Sequence, residues 1–116
     1  MKKLISSFKY AFQGIQYAFT TQRNIKIHFG IGIIVLLLGI YLKLSLLQWC
    51  ILFLTINMVI TGEMINTALE KTIDLVTEEY RILAKIVKDV AAGAVLISAI
   101  FSVIIGILLF YPKIFG

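Results

Sequence analysis

Three long apolar stretches constrain this chain of 116 residues more than any other feature of its sequence. Residues 27–42, 46–69 and about 90–111 are rich in Ile, Leu, Val and Phe and contain few charges. A brief turn is predicted at 43–45, between the first two stretches. A helix needs about 20 apolar residues to cross the hydrocarbon core of a bilayer. Apolar residues make up 60% of the chain, whereas soluble domains contain roughly 45–50%. The sequence therefore predicts an all-α integral membrane protein, with three transmembrane helices in a single membrane domain, 1–116.

The segment before the first apolar stretch has a different pattern. Over residues 3–20, approximately, apolar and polar residues alternate with helical spacing. The apolar positions are Leu4, Phe8, Phe12, Ile15 and Phe19, and the polar positions include Lys3, Ser7, Lys9, Gln13 and Gln16. A helix that is aromatic on one side and cationic on the other is typical of the membrane interface. We therefore expect an amphipathic interfacial helix ahead of the three spans.

The charged residues are distributed unevenly along the chain. Nine of the eleven basic residues lie before residue 27 or in the connection of about 70–88, and only Lys43 and Lys113 lie elsewhere. The positive-inside rule then predicts that the N-terminus and the loop of about 70–88 are cytoplasmic. The basic residues do not form a stripe interleaved with base-stacking aromatic residues. The net charge of +5 therefore indicates a membrane surface and no nucleic-acid partner.

Acidic residues line one side of the predicted second helix at its cytoplasmic end. At about 100° per residue, Glu70 and Asp74 lie within about 20° of Glu63 around the helix, and Asn66 lies toward the same side. Carboxylates stacked in this way repel each other, and one near hydrocarbon costs about 2–3 kcal/mol. A bound cation such as Mg²⁺, which prefers oxygen ligands and bridges carboxylates to phosphate, accounts for the pattern. Two alternatives are a solvated face beyond the membrane edge and simple pairing with nearby lysines.

The start of the predicted third span carries a basic residue as well as an acidic one. Lys88 and Asp89 precede the small residues 91–94, and small residues permit a close helix crossing. A lysine is a point-charge partner for phosphate oxygens, although a lysine that only snorkels to the interface has the same spacing. No glycine-rich phosphate loop is present. His28, the single histidine, is interpreted as structural because no second histidine accompanies it. The residues alone predict a metal- or phosphate-binding membrane protein.

These residues form an extended motif. The pattern Glu63-x-x-Asn66-Thr-Ala-x-Glu70-x-x-x-Asp74, followed by Glu79-Tyr80 and Ala84-Lys85-x-x-Lys88-Asp89, resembles the prokaryotic diacylglycerol kinase family. The Asn-Thr-Ala form and the run Lys-Asp-Val-Ala-Ala-Gly-Ala-Val are more similar to its Gram-positive branch, whose members act as undecaprenol kinases. The resemblance covers essentially the whole chain. It implies a homotrimer of three-span subunits in the bacterial inner membrane, with sites shared between neighbouring chains.

The resemblance also implies an activity and roles for individual residues. It implies a lipid kinase that transfers the γ-phosphate of ATP, with Mg²⁺, to the hydroxyl of undecaprenol or, alternatively, of diacylglycerol. Glu63 matches the general base, and Glu70 matches a metal ligand. The positions implied to contact ATP or its metal are Tyr10, Gln22, Asn66, Glu70, Glu79, Tyr80, Lys88 and Asp89. Arg81 joins this set because it follows Tyr80 directly and carries a charge suited to phosphate.

Gln22 departs from the pattern of the family. The family usually has a second metal-binding glutamate at this position, in the stretch Thr21-Gln22-Arg23-Asn24. An amide oxygen ligates Mg²⁺ but lacks the charge that strengthens binding by a carboxylate. We therefore expect weaker metal binding, loss of a second metal, or a replacement ligand such as Asp74.

Two other classes of membrane protein have about this length. A small multidrug-type transporter needs an essential carboxylate near the middle of the membrane and usually has four spans. In this chain the span count is three and the carboxylates lie at a helix end. A non-catalytic scaffold or a holin-like pore leaves the acidic face from Glu63 to Asp74 unexplained. A lipid kinase therefore accounts for the sequence better than either.

Overall fold

The computed structural model of the chain describes all 116 residues, and every regular element in it is a helix. The four helices are α1 (Lys2–Thr21), α2 (Arg23–Tyr41), α3 (Leu46–Val76) and α4 (Ile82–Phe115). The last three are long and apolar enough to cross a membrane. The predicted all-helical fold with three candidate spans is thereby confirmed.

Gln22 separates α1 from α2 and is the one non-helical residue between them, with φ −101° and ψ 113°. The end of α1 packs against α2, where the Phe19 and Phe29 rings meet edge to face at 5.2 Å. Ala18 is the one buried residue of α1, and Ile25 of α2 is fully buried. The break in helical backbone at Gln22 therefore sets the position at which α1 diverges from the helical bundle.

The α2–α3 turn combines two capping motifs. The N–H of Leu44 donates to the carbonyl of Gly39 over 3.2 Å, and Lys43 has a φ of 57°, as in a Schellman motif. Ser45 then caps α3, since its hydroxyl accepts a bond from the Gln48 N–H while the Gln48 side chain accepts one from the Ser45 N–H. The turn predicted at 43–45 is confirmed, and these caps explain its sharpness.

The segment of about 70–88, which the sequence predicts to contain both helix and loop, is mostly helical. Within it only residues 77–81 are non-helical. Neither of the strongest helix breakers, glycine and proline, occurs between 70 and 88. At about 1.5 Å per residue, the 31 residues of α3 span about 46 Å, well beyond the roughly 30 Å hydrocarbon core. The polar end of α3 therefore extends past the apolar stretch, which hydropathy alone does not show.

The other end of α4 also differs from the prediction. The sequence predicts that the third span ends at Tyr111 because Pro112 stops it, but α4 continues through Pro112 to Phe115. Proline removes one backbone donor, and the carbonyl of Pro112 still accepts a bond from the Gly116 N–H at 2.9 Å. A single lost bond in the last turn is tolerated, so the helix does not stop there.

The buried side chains of α3 lie along one face of that helix. They are Leu52, Thr55, Val59, Glu63 and Thr67, spaced three or four residues apart. α3 packs most extensively against α4. In the whole chain only 13 of 116 residues are buried, so most of its apolar surface is left for lipid or for other protein chains.

Candidate functional site

Glu63 is a carboxylate on the packed face of α3. It follows Val59 and precedes Thr67 by one helical turn each, and both neighbours are buried. Only 5% of its side chain is exposed, and the Thr67 hydroxyl donates to its backbone carbonyl over 2.9 Å. The alternative of a solvated face therefore does not apply to Glu63. A carboxylate buried in this way needs a partner.

His28 of α2 is the side chain that reaches Glu63. Its Nε2 lies 3.2 Å from Oε1 of Glu63. The ring N–H does not point at this oxygen closely enough for a hydrogen bond, and Oε1 is buried without one. The sequence interpretation of His28 as a structural residue missed this contact. No local pattern indicates it, because the contact depends on how α2 crosses α3.

Asn66 and Glu70 continue the same side of α3. The Asn66 amide donates to Oε1 of Glu70 over 3.2 Å, so the two predicted site residues are joined directly. The other Asn66 atom, Oδ1, is buried and has no hydrogen-bond partner. An unpartnered amide oxygen beside a carboxylate is a donor set that suits a hard divalent cation. Of the two, Glu70 is the predicted metal ligand, and Asn66 adds an amide oxygen on the same side of α3.

Lys88 of α4 forms an ion pair with Asp74 of α3, with Nζ 2.8 Å from Oδ1. The hydrogen bond from Lys88 holds the pKa of Asp74 below its ordinary value. The same hydrogen bond raises the pKa of Lys88. The alternative of acidic residues pairing with lysines therefore holds for Asp74, and Lys85 pairs likewise with Asp89 within α4.

A polar cleft lies between the 77–81 connection and the start of α4. Its volume is about 410 Å³, within the roughly 300–1,000 Å³ of small-molecule sites. The predicted nucleotide-contacting residues of this region, Glu79, Tyr80, Arg81, Lys88 and Asp89, all line it. The fold thus brings five of the predicted site residues to one concave surface.

An apolar cavity of about 90 Å³ lies within the bundle on the other side of Glu63. Residues of α2, α3 and α4 line it, among them His28, Val59, Ile60 and Ser102. Val59 and Ile60 precede Glu63 by about one turn, so the cavity lies next to the buried carboxylate. Glu63 lines neither space, and along α3 it lies between Ile60, which lines the cavity, and Ile73, which lines the polar cleft.

Tyr10 and Gln22 do not line the polar cleft of the single chain, and neither is hydrogen-bonded to Asn66 or Glu70. Tyr10 is 67% exposed on α1, and the side-chain amide of Gln22 donates to the Thr21 hydroxyl at 3.3 Å. No cluster of three or more His, Cys, Asp or Glu side chains suited to a metal forms in the chain. Within one subunit Asn66 and Glu70 are joined by a hydrogen bond, and no hydrogen bond joins Gln22 to either of them.

Comparison with known proteins gives consistent matches over most of the chain. The family model of prokaryotic diacylglycerol kinase matches residues 9–110. The undecaprenol kinase of Bacillus subtilis is 42% identical over 113 residues, which are 97% of this chain and 92% of that enzyme. The diacylglycerol kinase of a Synechocystis species is 47% identical over 110 residues, 94% of this chain and 63% of that enzyme. A Helicobacter pylori diacylglycerol kinase is 30% identical over 100 residues.

These matches cover the helices that carry Glu63, Glu70 and Lys88. The match to the Bacillus enzyme confirms the predicted similarity to the Gram-positive branch. The predicted enzyme class, a membrane lipid kinase, is confirmed as well, and the chain belongs to the prokaryotic diacylglycerol kinase family.

Proposed function

We propose that this enzyme transfers the γ-phosphate of ATP to the hydroxyl of undecaprenol. The observation that carries the proposal is the position of Glu63, a buried carboxylate between an apolar cavity and a polar end of the bundle. A lipid hydroxyl approaches from the apolar side, and a nucleotide approaches from water. The carboxylate at this boundary is suited to act on the hydroxyl.

In the proposed reaction Glu63 is the general base. Its carboxylate takes the proton of the lipid hydroxyl as the hydroxyl oxygen bonds to the γ-phosphorus. The bond from the γ-phosphorus to the bridging oxygen of the β-phosphate breaks, and ADP leaves with that electron pair. The protonated Glu63 then returns its proton to water. Burial favours this role, since it keeps water away from the carboxylate and from the acceptor hydroxyl.

Asn66 and Glu70 are proposed to hold Mg²⁺ together with the phosphates of ATP. One carboxylate plus substrate phosphates is the usual way in which proteins bind this ion. The bound ion neutralises charge on the phosphates during transfer. Gln22 is proposed as a further, weaker ligand. The unpartnered Oδ1 of Asn66 supports this arrangement.

The nucleotide is proposed to occupy the polar cleft. Lys88 and Arg81 supply positive charge for the phosphates, and Glu79, Tyr80 and Asp89 also line the cleft. Tyr10, which lies on α1 and outside the cleft, is proposed to contact ATP once subunits assemble.

Diacylglycerol is the second candidate acceptor. The 47% identity to the Synechocystis diacylglycerol kinase favours it, whereas the match over 92% of the Bacillus undecaprenol kinase favours undecaprenol. Purified protein in detergent with γ-labelled ATP and each lipid in parallel distinguishes them. We expect kcat/KM to be higher for undecaprenol by at least about tenfold, or about 1.4 kcal/mol. Higher kcat/KM for diacylglycerol contradicts the proposed acceptor. No transfer to either lipid, even by Gln22→Glu, contradicts the kinase assignment for this chain.

We also propose a homotrimer with sites shared between subunits. The separation of Tyr10 and Gln22 from the cleft within one chain supports sharing, as does the large exposed apolar surface. Native mass spectrometry in detergent should give a trimer. Glu63→Gln subunits mixed with Lys88→Met subunits, assayed at ATP well below the raised KM of the Lys88→Met enzyme, should be more active than either variant alone if each site draws these two residues from different chains. A monomer that is fully active contradicts the proposal.

The proposed membrane orientation places the N-terminus and the 70–88 segment in the cytoplasm of a bacterial inner membrane, with α1 in the interface. Lys43 and Lys113 meet at the opposite end, where Nζ of Lys113 donates to the Lys43 carbonyl over 3.3 Å. Single cysteines at Glu78 and Lys43 in a Cys50→Ser background test this orientation. An impermeant thiol reagent added outside intact spheroplasts should label the cysteine at 43 and spare the one at 78. The reverse pattern contradicts the orientation.

A further inference from the structure

His28 makes the one polar side-chain contact with the proposed base from another helix, yet nothing in the reaction described above uses it. Its ring lies on the wall of the apolar cavity, and its Nε2 lies 3.2 Å from Oε1 of Glu63. The ring is 27% exposed and the carboxylate 5% exposed. The contact therefore lies between helices at the boundary of the cavity, where little water screens it.

The other polar side chains around the cavity are committed to their own helices. The Thr55 hydroxyl donates to the Ile51 carbonyl over 2.7 Å, and the Ser102 hydroxyl donates to the Ala99 carbonyl over 2.7 Å. Neither hydroxyl proton is available to Glu63. His28 is thus the cavity residue whose side-chain nitrogen lies within 3.2 Å of a carboxylate oxygen on another helix.

The carboxylate lacks any alternative partner. Oε1 of Glu63 is buried with no hydrogen bond, and no Lys or Arg nitrogen lies within ion-pair distance of Glu63. A buried acceptor without a partner costs free energy and is free to turn. Hydrogen bonds at catalytic groups are often poorly aligned in the free enzyme and tighten when substrate binds.

We propose that His28 is a positioning residue, which donates its Nε2–H to Oε1 of Glu63 and so aims the other carboxylate oxygen at the acceptor hydroxyl. The inference rests on the proposed function, in which Glu63 is the base. It requires only a proton on Nε2, which both the imidazolium and one neutral tautomer provide. His28 itself transfers no proton and contacts no phosphate.

The test uses four substitutions at position 28 in the full-length protein, assayed with γ-labelled ATP and undecaprenol. Gln places an amide N–H near the position of Nε2, whereas the shorter Asn does not reach it. Leu keeps much of the ring's volume, and Ala removes it. We expect Ala, Leu and Asn to lower kcat about 100-fold, the effect of misplacing a reacting group by about 1 Å. We expect His28→Gln to recover at least about tenfold of this loss, with the KM for ATP unchanged in all four variants.

A double-mutant comparison separates positioning from general damage to the fold. In a Glu63→Gln background, His28→Leu should cause no further loss of the residual activity, because the two residues act through one contact. Additive losses overturn the inference. Full kcat in His28→Leu overturns it also, as does a His28→Gln variant no better than His28→Asn. If the unmodified enzyme transfers no phosphate, both the proposed function and this inference are wrong. If it is active and substitutions of His28 do not change its kcat, only the inference is wrong.

Discussion

Nζ of Lys88 lies 2.8 Å from Oδ1 of Asp74 and joins the end of α3 to the start of α4. The residues are 14 positions apart in the sequence, and the 77–81 connection closes the loop between them. Lys88 also lines the polar cleft. The cation proposed for phosphate is therefore held at the edge of its cleft by a carboxylate.

The first prediction concerns the pH dependence of this ion pair. The hydrogen bond from Lys88 holds the pKa of Asp74 below 3.8, so its contribution to stability is present above 3.8 and is lost as the pH falls through the folded-state pKa. The pKa of Lys88 is raised above 10.5, so its contribution is present below 10.5 and is lost as the pH rises through that raised value. The pair should therefore stabilise the fold at all pH values between these limits.

Asp74→Asn should accordingly lower Tm slightly and by a constant amount between pH 3.8 and 10.5. The effect is small because both side chains are exposed. The difference from the unmodified protein should disappear in acid, below the folded-state pKa of Asp74. Thermal unfolding in detergent across this pH range measures it. A difference that grows in acid contradicts the pairing.

The second prediction concerns Lys88 and the nucleotide. Lys88→Met should raise the KM for ATP about tenfold, the size of one lost charge-assisted hydrogen bond. Lys71→Met is the matched control, because it removes the same charge at the same end of the helical bundle from a residue that does not line the cleft. Steady-state kinetics with varied ATP measure both. Equal effects of the two substitutions show that only net charge matters and contradict the assigned role.

The third prediction separates the two glutamates of α3. Glu63→Gln should lower kcat by about 10²–10⁴-fold, as expected for loss of a general base, and leave ATP binding intact. Glu70→Gln should mainly weaken Mg²⁺-ATP binding, since it removes a charged ligand beside Asn66. Kinetics and equilibrium binding of a labelled ATP analogue measure the two effects. Equal loss of binding in both variants contradicts this division of roles.

The parts of the fold that hydropathy determines were predictable from the sequence. The turn at 43–45 and the three candidate spans follow from the pattern of apolar and polar residues. The end of α3 at Val76 and the start of α4 at Ile82 were not predictable in this way, because hydropathy reports where a helix can contact lipid and not where it stops.

The candidate site was likewise predictable only in part from the sequence. The side of α3 that carries Glu63, Asn66 and Glu70 follows from helical spacing, since all three lie on one helix. The contact of His28 with Glu63 depends on the crossing of two helices. Helix propensity and spacing within a helix carry no information on such crossings, so the contact could only be found in the folded chain.

The fourth prediction concerns Gly39 in the α2–α3 turn. A Cβ at this position would lie 2.9 Å from Cδ1 of Leu44 and 2.9 Å from Cη2 of Trp49. Such overpacking costs about 1–3 kcal/mol, so Gly39→Ala should lower Tm by several degrees. Gly14→Ala is the control, because nothing lies within 4 Å of its Cβ and alanine favours an exposed helix by about 0.5–1 kcal/mol. If both substitutions raise Tm, the close packing at Gly39 is contradicted.

The fifth prediction concerns Gln22, the non-helical residue between α1 and α2. The side-chain amide of Gln22 makes one hydrogen bond, to the neighbouring Thr21 hydroxyl at 3.3 Å. Because the substitution loses only this bond, Gln22→Glu should leave the fold unchanged. A carboxylate there adds the charge that strengthens Mg²⁺ binding, and we expect the Mg²⁺ concentration for half-maximal activity to fall about tenfold, the size of one charged contact. Activity titrations with Mg²⁺ at fixed ATP measure this change. Gln13→Glu introduces the same charge on α1 at an exposed position and serves as the control. If it lowers the Mg²⁺ requirement equally, the gain reflects surface charge and Gln22 is not a ligand position.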